Sequence, residues 1–258
     1  LKIFVCVKHV PDSAATIRII EPKEIGENIT FLLNPYDENA VEAAVQLRSE
    51  IDDTEVIAVT VGKPAAADTL RSALAMGADR GIHVITEYWP DSIVTARALN
   101  AAITQDGDPG LILTGKAAID SEGFQTQFRV AAMLDIPVAT NVGAITLHDD
   151  GVEVTCGQEA GGELIIQMSL PCVIGAAKTL NTPRYPTLPD IIKARKKEIK
   201  EMKFESLGIG PQDSHMEIIG LRPAVEERRK QFIDGSAQEA VVELIRRLDE
   251  EAKIKLVS

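Results

Sequence analysis

The sequence is poor in the residues that usually announce chemistry. Of its 258 residues only 4% are aromatic, Trp occurs once, Cys three times and His four times. The cysteines, Cys6, Cys156 and Cys172, lack the close spacing of a disulfide framework or a zinc motif. Positive charge is scarce too: 27 Lys and Arg stand against 39 Asp and Glu, a net charge of −12. A phosphate backbone demands a basic footprint, so no nucleic-acid partner is expected. No run of about 18 apolar residues is present, which excludes a spanning helix of the usual kind. The stretch Leu1-Lys2-Ile3-Phe4-Val5-Cys6-Val7 is short and β-branched and reads as a first core strand, not a signal peptide, so a cytoplasmic protein is expected. No catalytic dyad, metal cluster or activated nucleophile can be assembled from the sequence.

What is present is a rhythm. Hydrophobic residues make up 45% of the chain, enough for one large domain or a domain with an extension. Core strands are expected at the start, at Glu55–Gly62, at Ile82–Ile85 and at Leu111–Thr114. Between them fall helices beginning at Asn34-Pro35-Tyr36-Asp37-Glu38, near Pro64 and near Ser92. In the first of these Asn34 is expected to cap, Pro35 to take the first helical position, and Asp37 to sit three residues after the cap. Gly77 is the expected left-handed stop of the second. Lys8–Ser13 reads as a loop with His9 in a structural role, and Thr16–Ile19 as an edge strand. Strands alternating with helices predict an α/β fold, a doubly wound, mostly parallel, Rossmann-like sheet covered on both faces. From Gly143 the pattern changes. Ala144–His148 and Val152–Cys156 flank Asp149-Asp150-Gly151, a hairpin signal, and Glu163–Leu170 and Cys172–Ala177 follow as strands of an antiparallel extension. A nucleotide-binding domain over 1–205 and a C-terminal arm over 206–258 are expected. The arm ends in a helix capped by Ser236 with Glu239, which carries an apolar stripe.

The organising stretch is Gly115-Lys116-Ala117-Ala118-Ile119-Asp120-Ser121-Glu122-Gly123-Phe124-Gln125-Thr126, between the Leu111–Thr114 strand and a helical pattern starting near Phe128. Loops leaving the carboxyl ends of strands are where open α/β sheets take ligands, and a helix amino terminus presents free N–H groups to an anion. An adenine nucleotide is the predicted ligand. Gly110 to Lys116 has the spacing of a P-loop, but Ala117 replaces the required Ser or Thr, and the residues between the glycines form a strand sequence.

A second feature is Leu180-Asn181-Thr182-Pro183-Arg184-Tyr185-Pro186-Thr187-Leu188-Pro189-Asp190, whose three prolines in seven residues exclude helix and central strand alike. A basic helix carrying Lys193, Arg195, Lys196, Lys197 and Lys200 is expected after it. This local reversal of sign on an acidic chain points to an acidic partner or an anion.

Several segments together resemble the β subunit of electron transfer flavoproteins. They are Asn34–Glu38 with its Ala-Val-Glu continuation, Ala73–Arg80, Gly115–Asp120 and Asn181–Pro189, in order along most of the chain. The resemblance implies a heterodimer with an α subunit that holds most of the FAD site, and one structural AMP in the β subunit. Carried over by position, Gly115 to Thr126 would be the AMP loop, with Asn34, Pro35, Tyr36, Asp37, Cys6 and Val61 closing the site. Arg184, Tyr185, Pro186, Thr187, Leu188, Pro189, Ile192 and Lys193 would form a recognition loop that docks an acyl-CoA dehydrogenase through Leu188, and electrons would leave to a membrane quinone-linked oxidoreductase. The C-terminal arm would wrap on the α subunit. A subset of the family places a second FAD in the AMP site and bifurcates electrons from NADH. Pro11-Asp12-Ser13 resembles that subset, whereas Gln125-Thr126-Gln127 leans to the AMP binders without the Gly of their pattern. A non-redox nucleotide-binding module is the alternative of another class.

Overall fold

Residues 1–148, 150–158, 161–223, 230–251 and 253 are described by the structure, a computed structural model. The chain runs through β1 (Lys2–Cys6), β2 (His9–Pro11), β3 (Ile19–Glu21), β4 (Glu24–Ile25), β5 (Phe31–Leu33) and α1 (Pro35–Glu50). Next come β6 (Glu55–Gly62), α2 (Ala67–Met76), β7 (Arg80–Ile85), α3 (Ser92–Asp106), β8 (Leu111–Gly115) and α4 (Thr126–Leu134). The series closes with β9 (Val138–His148), β10 (Gly151–Gly157), β11 (Glu163–Met168), β12 (Val173–Ala176), α5 (Leu188–Ala194), β13 (Ile199–Lys203) and α6 (Ala237–Glu250).

Continuous apolar runs such as Ile3-Phe4-Val5 and Leu111-Ile112-Leu113 are buried on both faces, as a parallel sheet between two helix layers requires. The main sheet has nine strands in the order β11-β10-β9-β12-β8-β1-β6-β7-β13. Its pairs are parallel except where β10 runs against β9 and β11. From β1 the chain winds outward through β6 and β7, then returns to place β8 on β1's other side. The winding therefore reverses between β1 and β8, the switch point at which open sheets bind ligands. Ile3, Val5, Val41, Leu74 and Leu113 pack in the core on one face, and Phe4, Ile57, Leu99, Ile103 and Ile112 on the other. Each such side chain contributes about 1.5–3 kcal/mol on burial. The doubly wound α/β fold follows from this. Gly77 ends α2 with φ +129°, as its position predicts.

Several local expectations are corrected. His9–Pro11 is not loop but a short strand paired with Phe31–Leu33, and His9 is held by a 2.8 Å bond between Nδ1 and the Thr69 hydroxyl. Of Thr16–Ile19 only Ile19 is in a strand, part of a small separate hairpin with β4. The strand within Cys172–Ala177 leaves the antiparallel extension and inserts in parallel between β8 and β9. In the hairpin between β9 and β10, Asp149 lies outside the described residues. The prolines of 183–189 do not prevent a helix: Thr187 caps α5 in a reciprocal pair with Asp190, and Pro189 sits in the first turn, where its missing N–H costs nothing. No long basic helix follows. Helix α5 stops at Ala194, and Ile199–Lys203 joins the exposed edge of β7, where backbone pairing outweighs helical propensity. Lys197 turns inward and donates to the Leu74 and Ala78 carbonyls at the end of α2, at 3.0 and 2.6 Å.

The chain divides into two compact units, Leu1–Gly220 and Leu221–Ser258. Within the first, Asp213 pairs with Arg97 of α3 at 2.6 Å. Within the second, the Ser236–Glu239 capping box starts α6, whose Val241, Leu244 and Ile245 are exposed. Among the described residues no helix is long and apolar enough to cross a membrane.

Candidate functional site

The loops leaving β1 and β8 meet at the switch point, and Asp37 joins them. Its Oδ2 accepts the Lys8 amide at 2.8 Å and its Oδ1 the Gly115 amide at 2.9 Å. Asn34, fully buried, stitches the same loop one turn further on. Its Nδ2 donates to the Ala117 carbonyl at 2.9 Å, and its Oδ1 accepts the Ile119 amide at 3.1 Å. Asn34 thus occupies the cap position of α1 without making a side-chain cap bond, contrary to the sequence expectation. Both of its polar ends are committed to the loop, and Pro35 removes one of the donors a cap would serve. Tyr36 explains Gly115: a Cβ there would stand 2.6 Å from the Tyr36 Cβ. Burial pushes the Asp37 carboxyl up to about 7 against the two amide bonds that favour its charge. Cys6 and Val61, at the carboxyl ends of β1 and β6, pack in the core on the α3 and α4 side. Burial, then the Asp37 charge, pushes the Cys6 thiol up to about 12, so it is inert.

The far part of the loop is held at its edges. The Lys8 ammonium reaches Asp120 at 2.7 Å and the Ser121 hydroxyl at 3.3 Å. From beneath, buried Gln127 donates to the Lys116 carbonyl at 3.1 Å and to the Thr140 hydroxyl at 2.9 Å, and accepts from Thr114 at 3.2 Å. Lys116 bonds Asn141 at 3.0 Å, and the ammonium groups of Lys116 and Lys178 lie 5.4 and 5.8 Å from the centre of the Tyr36 ring. Between these supports the backbone is strained and open. Glu122 and Phe124 adopt φ of +46° and +53°, a region non-glycine residues rarely enter and one that gathers at functional sites. Helix α4 has no side-chain cap, since the Gln125 side chain instead accepts from Ser92 and Arg129. Among the described residues no acceptor takes the amides of Gly123, Phe124, Gln125, Thr126, Gln127 or Phe128. Such a run of free donors at a helix start is chemically suited to a phosphate. The donor set fits a mononucleotide on the side of its anion.

The second predicted site is a different kind of object. Tyr185 is 95% and Leu188 70% exposed, and Ile192 and Lys193 lie beside them in the exposed part of α5. Arg184 is turned the other way: its Nε and Nη2 clasp both oxygens of Glu42 on α1 at 2.6 and 2.9 Å. Thr187 caps α5, and Pro186 and Pro189 shape its approach. Asn181 exchanges bonds with Asn39 of α1, donating to its carbonyl and accepting from its side chain at 2.9 and 3.0 Å. Burial pushes the Glu42 carboxyl up, but the bonds from Arg184 and Gln46 outweigh it and hold the group below its ordinary value.

Sequence reasoning assigned no role in either site to Lys8, Gln127, Asn39 or Glu42. Gln127 left a signal, as a polar residue on the face of α4 that buries Val130 and Ala131. Asn39 and Glu42 interrupt the buried stripe of α1 in the same way.

With this geometry in place, comparison with known proteins gives consistent findings. Residues 25–207 match the family model described as electron transfer flavoprotein domain. The chain is 38% identical over 261 residues to the mitochondrial electron transfer flavoprotein subunit beta of Oryza sativa subsp. indica, with 98% of this chain and 100% of that protein covered. It is 40% identical over 218 residues to the electron transfer flavoprotein subunit beta of Homo sapiens, covering 81% and 84%. To that of Syntrophomonas wolfei it is 40% identical over 200 residues, covering 77% and 78%.

Proposed function

Since the chain belongs to the electron transfer flavoprotein family, among its β subunits, we propose that it pairs with an α subunit, binds AMP structurally at Gly115–Thr126, and docks an acyl-CoA dehydrogenase through the segment around Leu188. FAD, held mainly by the α subunit, would supply the redox chemistry that links the dehydrogenase to a membrane quinone-linked oxidoreductase. This chain's residues make and break no bonds. The amides of Gly123–Phe128 receive the phosphate, and Lys8 with Asp120 forms the lip. Asn34, Asp37 and Gln127 hold the loop from behind without needing to touch the ligand. Tyr185, Leu188 and Ile192 offer an apolar contact, and the exposed Lys193, Arg195 and Lys196 favour an acidic counterpart.

The single observation that carries the nucleotide reading is the run of amides without acceptors at the uncapped start of α4. Denaturing the heterodimer and identifying what it releases tests the reading. Equal amounts of AMP and FAD are expected. Two FAD molecules per heterodimer would overturn AMP in favour of the bifurcating arrangement. A colourless chain that needs no α subunit would leave only a nucleotide-binding module.

A further inference from the structure

The segment that carries Tyr185 and Leu188 has no secondary structure between residues 177 and 187, yet it must present its side chains in one geometry to be recognised. The Ala177 amide is still tied to the Val142 carbonyl of β9, but beyond it, among the described residues, the side-chain bonds that fix the segment before α5 lead to α1. Asn181 and Asn39 bond each other from side chain to backbone in both directions, at 2.9 Å each way. Three residues later the Arg184 fork closes on Glu42, and the Arg184 amide adds a third bond to the Glu42 Oε2 at 3.2 Å. The Glu42 side chain is only 5% exposed, so it cannot itself meet another protein. Arg184 spends the planar, bidentate face of its guanidinium inward rather than outward. Asn39 and Glu42 follow Asn34 and Asp37 on the same helix, so α1 braces the nucleotide loop at its start and the exposed segment slightly further on.

We propose that Glu42 is a positioning residue for partner recognition, which acts through Arg184 to hold residues 181–187 against α1 and so aims Tyr185 and Leu188. Arg184, whose side chain is still 46% exposed, then serves as a rivet to α1 and not as a contact residue. The inference rests on the reading in which this segment docks a dehydrogenase.

The test uses the heterodimer co-expressed with its α subunit, with medium-chain acyl-CoA dehydrogenase reduced by octanoyl-CoA as donor. Glu42→Gln and Arg184→Gln should each raise the KM for the heterodimer about tenfold, the scale of a lost charge-assisted pair. Limiting rate and bound nucleotide should not change. The double variant should be no worse than either single one, because both changes break the same link. Arg184→Lys, which keeps the charge but not the fork, should not restore the KM. If Arg184→Gln alone raises the KM, or if the two effects add, Arg184 meets the partner directly and the inference is wrong. Leu188→Ala separates the two possible failures. If it leaves the KM unmoved, the docking reading falls and takes this inference with it; if it raises the KM while Glu42→Gln does not, only the role of Glu42 falls. Amide hydrogen exchange on the same samples guards against misfolding. Protection should drop in 181–187 alone, and a drop along α1 would overturn the assignment.

Discussion

Helices α3 and α4 start side by side at the carboxyl edge of the sheet, on the same face, and they finish their first turns in opposite ways. At α3 the Asp91 carboxylate accepts the Ile93 and Val94 amides at 2.9 and 2.8 Å, while its other oxygen takes the Ser214 hydroxyl and the His215 amide at 3.1 and 2.8 Å. Of the first-turn amides only that of Ser92 lacks a protein acceptor among the described residues, and the segment at Ser214–His215 ties onto the same carboxylate. At α4 the corresponding amides, of Gln127 and Phe128, have no acceptor among the described residues. A helix end is an anion site only where the fold declines to close it. The difference also explains why sequence position alone is a weak guide: both helices begin at the right edge for binding, and only one is open.

The sharpest way to probe the comparison is by pH, because Asp91, which caps α3, and Asp37, which ties the loop ahead of α4 through the Gly115 amide, are shifted in opposite directions. Burial raises Asp91, but its four donors more than offset that and hold it below the usual carboxylate value. Its contribution is present above the unfolded value and is lost as pH falls through the folded one. Asp37 is the reverse. Between 3.8 and about 7 the native chain holds a proton there that the unfolded chain has released, so its contribution falls as pH rises through that window. The span corresponds to at most about 4 kcal/mol, at 1.36 kcal/mol per unit. Asp37→Asn should flatten that slope in denaturant titrations between pH 4 and 8. It should also cost about 1–3 kcal/mol throughout, since the amide would set a donor against the Lys8 or Gly115 N–H. An unchanged slope would show that Asp37 titrates normally and that its hydrogen bonds offset burial.

Asp91→Ala breaks the closed end. It should cost about 1–2 kcal/mol of stability, the usual worth of a cap, and raise amide exchange in the first turn of α3 and at 214–216. Nucleotide content should stay the same. If nucleotide is lost in parallel with stability, the two helix ends do not act independently and the contrast between them fails.

Much of this arrangement was legible in advance, and the rest fails for identifiable reasons. The strand, loop and helix around Leu111–Leu134 announce themselves by a buried run, small residues and a change of period. The start of α1 is equally plain at Asn34-Pro35. What could not be read was the use to which Asn34 is put, because a cap and a cross-brace both draw on its Oδ1 as acceptor, and only the fold decides which N–H is nearer. The basic stretch misled for a related reason. Lys and Arg suit a helix, but residues 199–203 lie beside an unpaired strand edge that no local signal reveals. The switch point itself depends on strand order, which becomes visible only when β8 is seen to return beside β1.

The smallest stability change is expected at Gly123, where it would be the most informative. A Cβ there would meet nothing within 4 Å, and the residue does not occupy the left-handed region, so the fold has no need of glycine at that position. Gly123→Ala should leave the melting of the nucleotide-free chain within about 0.5 kcal/mol of the original, or raise it slightly by restricting the unfolded state. A glycine at a position where the chain itself does not require one leaves room for something outside the chain to approach the backbone closely. The methyl would then stand among the free amides and weaken AMP, read as nucleotide retained through gel filtration at rising dilution, by about tenfold, the price of holding the phosphate away from one or two of its donors. Equal retention would mean that the anion sits elsewhere on the edge, and that the open start of α4 is merely exposed to water.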